Sequence, residues 1–184
     1  DSEVPLIVGC GAIGLAVIAA LKVQGIGPII ASDPSPFRRK SAEKMGADVV
    51  VDPKAENPMG IWAFNAPMGS RCVVVECVGA PGVLNEILIT APWSSRIIVA
   101  GQNLNDDVLF TASAHTKGIN VQFGGSPIGK DYTDSLDALA SGKIDVSFWQ
   151  TGHVNLDGAI EAFTDSTDTE RHMRIAVHPH GKSI

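Results

Sequence analysis

The sequence predicts a three-layer α/β fold, a doubly wound parallel sheet with helices on both faces. Two observations favour this fold. Short apolar runs typical of buried strands alternate along the chain with segments that have helical spacing and helix-capping residues. A glycine-rich turn joins the first of these apolar runs to the first helical segment. The length of 184 residues suits one domain.

The predicted elements alternate from one end of the chain to the other. Strands are predicted over residues 6–9, 29–32, 49–51, 72–78, 96–100, 119–123 and 174–177. Helices are predicted over residues 13–23, 37–45, 59–64, 83–90, 132–140 and 156–164. The last strand is expected to close this single pattern.

Local signals support individual elements. Ser35 and Pro36 form a good N-cap and first helical position, and Gly46 lies where the helix should end. Residues 72–78 are apolar on both faces, as a central parallel strand is. Residues 119–123 alternate apolar and polar side chains, which indicates a strand at the edge of the sheet.

The glycine-rich turn predicts a Rossmann-type site for a dinucleotide. Its sequence, G-x-G-x-x-G, begins at Gly9, and Asp33 follows the last glycine by nineteen residues. Gly9 permits the sharp turn, Gly11 allows close approach of a pyrophosphate, and Gly14 lets the helix pack on the strand. Free N–H groups at the start of the helix point to the phosphates, and Asp33 can accept hydrogen bonds from the adenosine ribose. A purely structural turn and the glycine loop of a methyltransferase are the alternatives.

Composition excludes several other classes. The net charge is −6 and the longest basic run is Arg38-Arg39-Lys40, so nucleic-acid binding is not expected. The apolar runs are too short to span a bilayer, so membrane insertion is not expected. The three cysteines, Cys10, Cys72 and Cys77, have no disulfide-framework spacing and lie in or beside predicted strands. A reducing cytoplasm is the expected compartment.

Several stretches carry a resemblance to a known family. They are residues 8–15 (VGCGAIGL), 32–35 (SDPS), 44–53 (KMGADVVVDP), 76–81 (ECVGAP), 140–145 (ASGKID) and 156–163 (LDGAIEAF). In this order, they resemble the nucleotide-binding half of the zinc-type, medium-chain alcohol dehydrogenases. The resemblance covers nearly the whole chain. The glycine turn is generic, whereas the pieces beginning at Lys44 and Ala140 are more specific.

The resemblance implies a set of cofactor-binding positions. They are Gly9, Gly11, Ala12, Ile13 and Gly14 in the pyrophosphate loop; Asp33, with Pro34 beside it, and Arg38 at the adenosine ribose; Cys77, Val78 and Gly79 under the cofactor; Ala100, Gly101 and Gln102 beside the nicotinamide; Phe123 near its carboxamide; and Arg174 at the phosphates. The residue types also allow simpler interpretations, with Asp33 as a helix-capping acid, Arg38 and Arg174 as surface charges, and Phe123 in the core. No catalytic or metal-binding residue is assigned in this chain.

The expected cofactor is NAD rather than NADP. A carboxylate at Asp33 would repel a 2′-phosphate, whereas it can bind a free 2′-hydroxyl group. Arg38 and Arg39 are the counter-argument, because nearby arginines can accommodate that phosphate.

The resemblance implies hydride transfer between an alcohol or polyol and NAD. In the family, the catalytic zinc lies in a separate domain that this chain lacks. Cys72 and Cys77 are five positions apart on one strand, point to opposite faces and cannot hold one ion. We therefore expect a fragment that binds cofactor without turnover, with a core over about residues 4–124 and a segment, 125–184, that contacts the missing domain. A zinc-independent reductase of the same superfamily and a non-enzymatic NAD(H)-sensing module are the alternatives.

An exposed strand between Ile119 and Phe123 would leave unpaired backbone groups. This segment has no lysine or proline to block pairing with another strand. In the family it resembles, such strands pair across a two-fold axis, so a homodimer through this edge is expected.

Overall fold

The computed structural model describes residues 2–180 and confirms the α/β fold. Six parallel strands form the main sheet in the order β3-β2-β1-β4-β5-β6. They are β1 (Glu3–Val8), β2 (Ile30–Ser32), β3 (Val49–Val51), β4 (Arg71–Glu76), β5 (Arg96–Val99) and β6 (Asn120–Phe123). The strand order reverses between β1 and β4, which is where open sheets of this kind form a crevice at their carboxyl ends. β6 lies at an edge, as predicted.

Helices connect the strands of this sheet. They are α1 (Ala12–Val23), α2 (Pro36–Met45), α3 (Pro58–Asn65), α4 (Val83–Thr90) and α5 (Thr111–Lys117). The cap signals predicted for α2 are confirmed. The Ser35 hydroxyl accepts a hydrogen bond from the Arg38 N–H at 3.1 Å, and Gly46 ends the helix with a φ of 112°. The sequence did not predict α5.

Two hydrophobic clusters cover the two faces of the sheet. On one face, Leu6 and Val74 pack with Trp62 of α3 and Leu88 of α4. On the other face, strand side chains such as Ile7 and Val75 pack with Leu15 and Ile18 of α1. The three layers therefore have apolar contacts on both sides of the central strands, which is the burial that continuous apolar strands require.

The C-terminal segment, residues 125–180, corrects two predictions. Its elements are α6 (Gly129–Ala140), β7 (Gln150–Asn155), α7 (Ala159–Asp165) and β8 (Arg174–His178). The strand predicted over 174–177 forms, but it pairs with β7 in a separate two-stranded sheet rather than joining the main pattern. Helix α7 begins after the predicted position because the Asn155 side chain accepts a hydrogen bond from the Gly158 N–H at 3.0 Å and holds the preceding residues in a turn.

The helices of residues 2–180 are all too short or too polar to cross a membrane.

Candidate functional site: a dinucleotide-binding cleft

A cleft of about 950 Å³ opens at the carboxyl ends of β1, β2 and β4. Many of the predicted cofactor residues line it: Gly9, Gly11, Ala12, Ile13, Asp33, Pro34, Arg38, Cys77 and Val78. The cleft also lies at the reversal of strand order. The turn predicted from the glycine spacing and the crevice predicted from the topology therefore coincide.

A different physical constraint explains each of the three motif glycines. Gly9 has a φ of +92°, and a Cβ there would lie 2.7 Å from a methyl group of Val78. A Cβ on Gly14 would lie 1.9 Å from the Gly9 carbonyl oxygen, so the chain's own packing requires glycine at this position. At Gly11 the nearest atoms to a Cβ would belong to the Arg38 guanidinium, 3.8 Å away. The fold itself leaves room for a side chain at Gly11, and that room is part of the cleft.

The N-terminus of α1 is free to bind an anion. Gly11 is its N-cap and supplies no capping side chain, and the first turn contains no acidic residue. The first N–H groups of a helix lack intrahelical partners and carry the positive end of the helix dipole. Together with the space above Gly11, they form a positively polarised cradle of the kind that binds phosphate groups.

Asp33 joins the glycine turn to the start of α2. Its side chain is buried, and its two oxygens each accept a backbone hydrogen bond of 2.8 Å, one from the Cys10 N–H and one from the Ser35 N–H. The N-cap of α2 is Ser35, so Asp33 does not cap the helix itself but holds the N–H of the capping residue. A carboxylate has about four acceptor positions, so these bonds leave acceptor capacity toward the cleft.

The two arginines of α2 differ in their partners. Arg39 donates to the carbonyl oxygens of Asp33 and Pro34 at 2.8 and 3.0 Å and pairs with Asp52 at 3.2 Å. Arg38 lies above Gly11 and lines the cleft, and its Nε is buried without a hydrogen-bond partner among the described residues. A buried donor without a partner inside a cleft fits a site whose ligand supplies the acceptor.

Glu76 organises the end of β4. Its side chain is buried, and one carboxylate oxygen accepts hydrogen bonds from the Val78 and Gly79 N–H groups at 2.6 and 2.8 Å. A Cβ on Gly101 would lie 2.4 Å from the Gly79 nitrogen, so the turns after β4 and β5 touch at these two glycines. Glu76 therefore fixes the turn that presents Val78 to the cleft.

Other predicted positions are not among the residues that line this cleft. Gly14 is buried in the helix–strand contact, while Gly79, Ala100, Gly101, Gln102, Phe123 and Arg174 are not among its lining residues. Phe123 is exposed at the edge strand, so its interpretation as a core residue is wrong. Arg174 lies on β8, outside the main sheet. The nicotinamide and phosphate roles implied for these residues stay predictions.

The structure adds lining residues that the sequence did not indicate. They are residues 53–59, which form the loop before α3 and the start of that helix, the α4 side chains Val83, Glu86, Ile87 and Thr90, and Thr169 with Glu170 from the turn before β8. The α4 residues follow helical spacing, which could have marked one face of this helix. No signal in the sequence places the turn of residues 169 and 170 near the cleft, because its contact with Ser35 spans 134 positions.

The described residues of this chain do not fit a zinc site. Cys72 belongs to one core cluster, whereas Cys10 and Cys77 belong to the other. Burial raises the pKa of Cys72 and of Cys77 to about 12, and zinc is bound by the thiolate form. Within residues 2–180, no three histidine, cysteine or acidic side chains lie close enough together to hold a metal ion.

The comparisons with known proteins agree with the resemblance. A family model described as zinc-binding dehydrogenase matches residues 12–141, so the chain belongs to this family. L-threonine 3-dehydrogenase from Thermococcus kodakarensis is 40% identical over 96 residues, which are 52% of this chain and 27% of that protein.

Solved structures show the same fold. L-idonate 5-dehydrogenase from Escherichia coli has a TM-score of 0.82 at 21% identity, over 96% of this chain and 50% of that one. An alcohol dehydrogenase from Escherichia coli in complex with NADH has a TM-score of 0.77 at 20% identity, over 96% of this chain and 51% of that one. This chain therefore spans about half the length of the solved structures that it matches.

Proposed function

We propose that this chain binds NAD(H) as the cofactor-binding part of an alcohol or polyol dehydrogenase. The observation that carries the proposal is the cleft above Gly11, where free helix N–H groups, Asp33 and the unpartnered Arg38 Nε meet. The relatives are named as dehydrogenases of hydroxyl-bearing substrates, and one matched structure is an NADH complex. Bound NAD supplies the hydride acceptor, and this chain's residues hold its phosphates and adenosine ribose.

Catalysis by the longer protein would require groups beyond this chain. The described residues offer no zinc site, and no side chain in the cleft is assigned to proton transfer at a substrate. The segment 125–180 exposes apolar side chains that a further domain would cover. We therefore propose that the 184 residues bind cofactor without alcohol oxidation. The substrate and the zinc requirement belong to the longer protein.

We also propose a homodimer through β6. This strand pairs with β5 alone within the described residues, and all four of its residues are exposed. The three buried free thiols suit a reducing compartment, and we propose the cytoplasm.

A glycine variant tests the cofactor proposal. Because the fold leaves room for a methyl group at Gly11, Gly11→Ala should fold normally but occupy the space of the pyrophosphate. We expect NADH affinity to fall at least about tenfold, since loss of close backbone approach costs 1.4 kcal/mol or more. Fluorescence titration with NADH measures the affinity, and thermal unfolding checks the fold.

Gly60→Ala, within α3 and outside the cleft lining, is the matched control and should bind NADH normally. Equal NADH affinity of Gly11→Ala and the wild-type chain would contradict the proposed site. Binding of S-adenosylmethionine in place of NADH by the wild-type chain would favour the methyltransferase alternative instead.

A further inference from the structure

The turn between α7 and β8 brings an acidic residue to the dinucleotide cleft. Thr169 and Glu170 line the cleft together with Ser35 and its neighbours. The Ser35 hydroxyl donates to the Thr169 carbonyl oxygen at 3.4 Å, which joins this turn to the start of α2. The Glu170 N–H donates to the Asp168 carboxylate at 3.0 Å, which stabilises the turn itself.

NAD and NADP differ in the part of the molecule that would occupy this corner of the cleft. In the fold, the residues directly after β2 meet the adenosine ribose, whose 2′ position carries a hydroxyl group in NAD and a phosphate in NADP. Pro34, Ser35, Arg38 and Glu170 all line the cleft, and Thr169, which precedes Glu170, contacts Ser35. Arg39 is already engaged with two carbonyl groups and Asp52, so Arg38 is the guanidinium that remains available for a phosphate.

We propose that Glu170 is a specificity residue that disfavours a dinucleotide with a 2′-phosphate. This inference rests on the proposed cofactor function. A phosphate monoester carries nearly two negative charges at neutral pH, and the Glu170 carboxylate repels it. A neutral 2′-hydroxyl group does not experience this repulsion and can donate a hydrogen bond to a carboxylate.

Titrations with NADH and NADPH test the inference on the full chain. Glu170→Gln keeps the shape of the side chain and removes its charge. We expect its NADPH affinity to rise about five- to tenfold, the size expected for one charge acting on a phosphate through solvent, and its NADH affinity to change less than about twofold. The gain should shrink at high ionic strength because salt screens the interaction. Glu170→Lys should increase NADPH affinity further.

The control is Glu43→Gln, which makes the same change in net charge at an exposed position of α2 outside the cleft lining. This control should bind both dinucleotides as the wild-type chain does. If the wild-type chain bound neither NADH nor NADPH, the proposed function itself would fail. If it bound NADH and the ratio of the two affinities were the same in Glu170→Gln and Glu43→Gln, this inference alone would be overturned.

Discussion

The sheet unit (residues 3–124) and the C-terminal segment (residues 125–180) differ in how they bury apolar side chains. In the sheet unit, two clusters cover both faces of the strands, and side chains such as Leu6, Ile7 and Leu88 are almost inaccessible to solvent. Among the described residues of the C-terminal segment, Ala162 and His172 are the buried ones. Phe148, Trp149 and Met173 of the C-terminal segment pack against one of these clusters, but most of the fully buried apolar side chains belong to the sheet unit.

Helix α6 shows what this difference means. Tyr132, Leu136 and Leu139 recur at helical spacing and form one apolar face, yet each is exposed to solvent. The pattern correctly predicts a helix, but within the described residues nothing covers its apolar face. Apolar periodicity thus reports the surface a helix is built to bury, and the surface that buries it can belong to another domain or chain. This agrees with the proposal that a longer protein covers the segment.

At neutral pH, the largest expected effect comes from making the same substitution in the two regions. Leu88 on α4 is 1% exposed, whereas Leu136 on α6 is 65% exposed. Leu88→Ala should lower the free energy of unfolding by about 3 kcal/mol because it removes buried contacts and leaves a cavity. Leu136→Ala should change it by less than about 0.5 kcal/mol. Urea unfolding of both variants measures the difference, and equal losses would show that the C-terminal segment is as well packed as the sheet unit.

The sequence predicted the sheet unit better than the C-terminal segment for the same physical reason. Helix α4 formed over the predicted residues, β1 to β5 overlap the predicted apolar runs, and β6 overlaps the predicted alternating segment. An exception within the sheet unit is α5, which contains threonine, serine and histidine, residues of modest helix propensity, and is only seven residues long. Strand β7 is polar and contains Gly152, so its extended form depends on pairing with β8 far along the chain.

The candidate site was predictable where it depends on local sequence. The turn from Gly9 to Gly14 and the acid at Asp33 have fixed spacing, and both are where the motif requires. The role of Glu170 was not predictable, because it depends on how a turn from the C-terminal segment contacts α2. Nor could spacing distinguish Arg38 from Arg39, whose different partners become visible only in three dimensions.

Alkaline pH should destabilise the sheet unit, which contains all three cysteines. Burial raises the pKa of Cys72 from 9.0 to about 12, so the unfolded chain loses this proton first as the pH rises. The contribution of this protonated thiol to the free energy of unfolding is fully present below about pH 9. It is lost between pH 9 and 12, at about 1.4 kcal/mol per pH unit for one thiol. Cys72→Val removes this ionisable thiol. Urea unfolding at several pH values should therefore show a shallower alkaline decline for Cys72→Val than for the wild-type chain, and parallel curves would contradict the assignment.

A proline in β6 should have the smallest effect on the fold. It also tests which exposed surface of the chain forms the dimer. The Asn120 N–H donates to the Ser95 carbonyl oxygen in the loop before β5, and the Gly124 N–H donates to the Val99 carbonyl oxygen on β5. Because successive N–H groups of a strand point in opposite directions, the Val121 N–H points to the free edge. Val121→Pro removes an outward donor and should weaken a dimer formed through β6 while costing the monomer little. Light scattering at tens of micromolar should give a dimeric wild-type chain and a largely monomeric Val121→Pro.

Leu136→Ser is the companion variant, since it makes the apolar face of α6 more polar and should leave a β6 dimer intact. A monomeric wild-type chain would contradict the proposed dimer, and dissociation by Leu136→Ser but not by Val121→Pro would assign the association to the C-terminal segment.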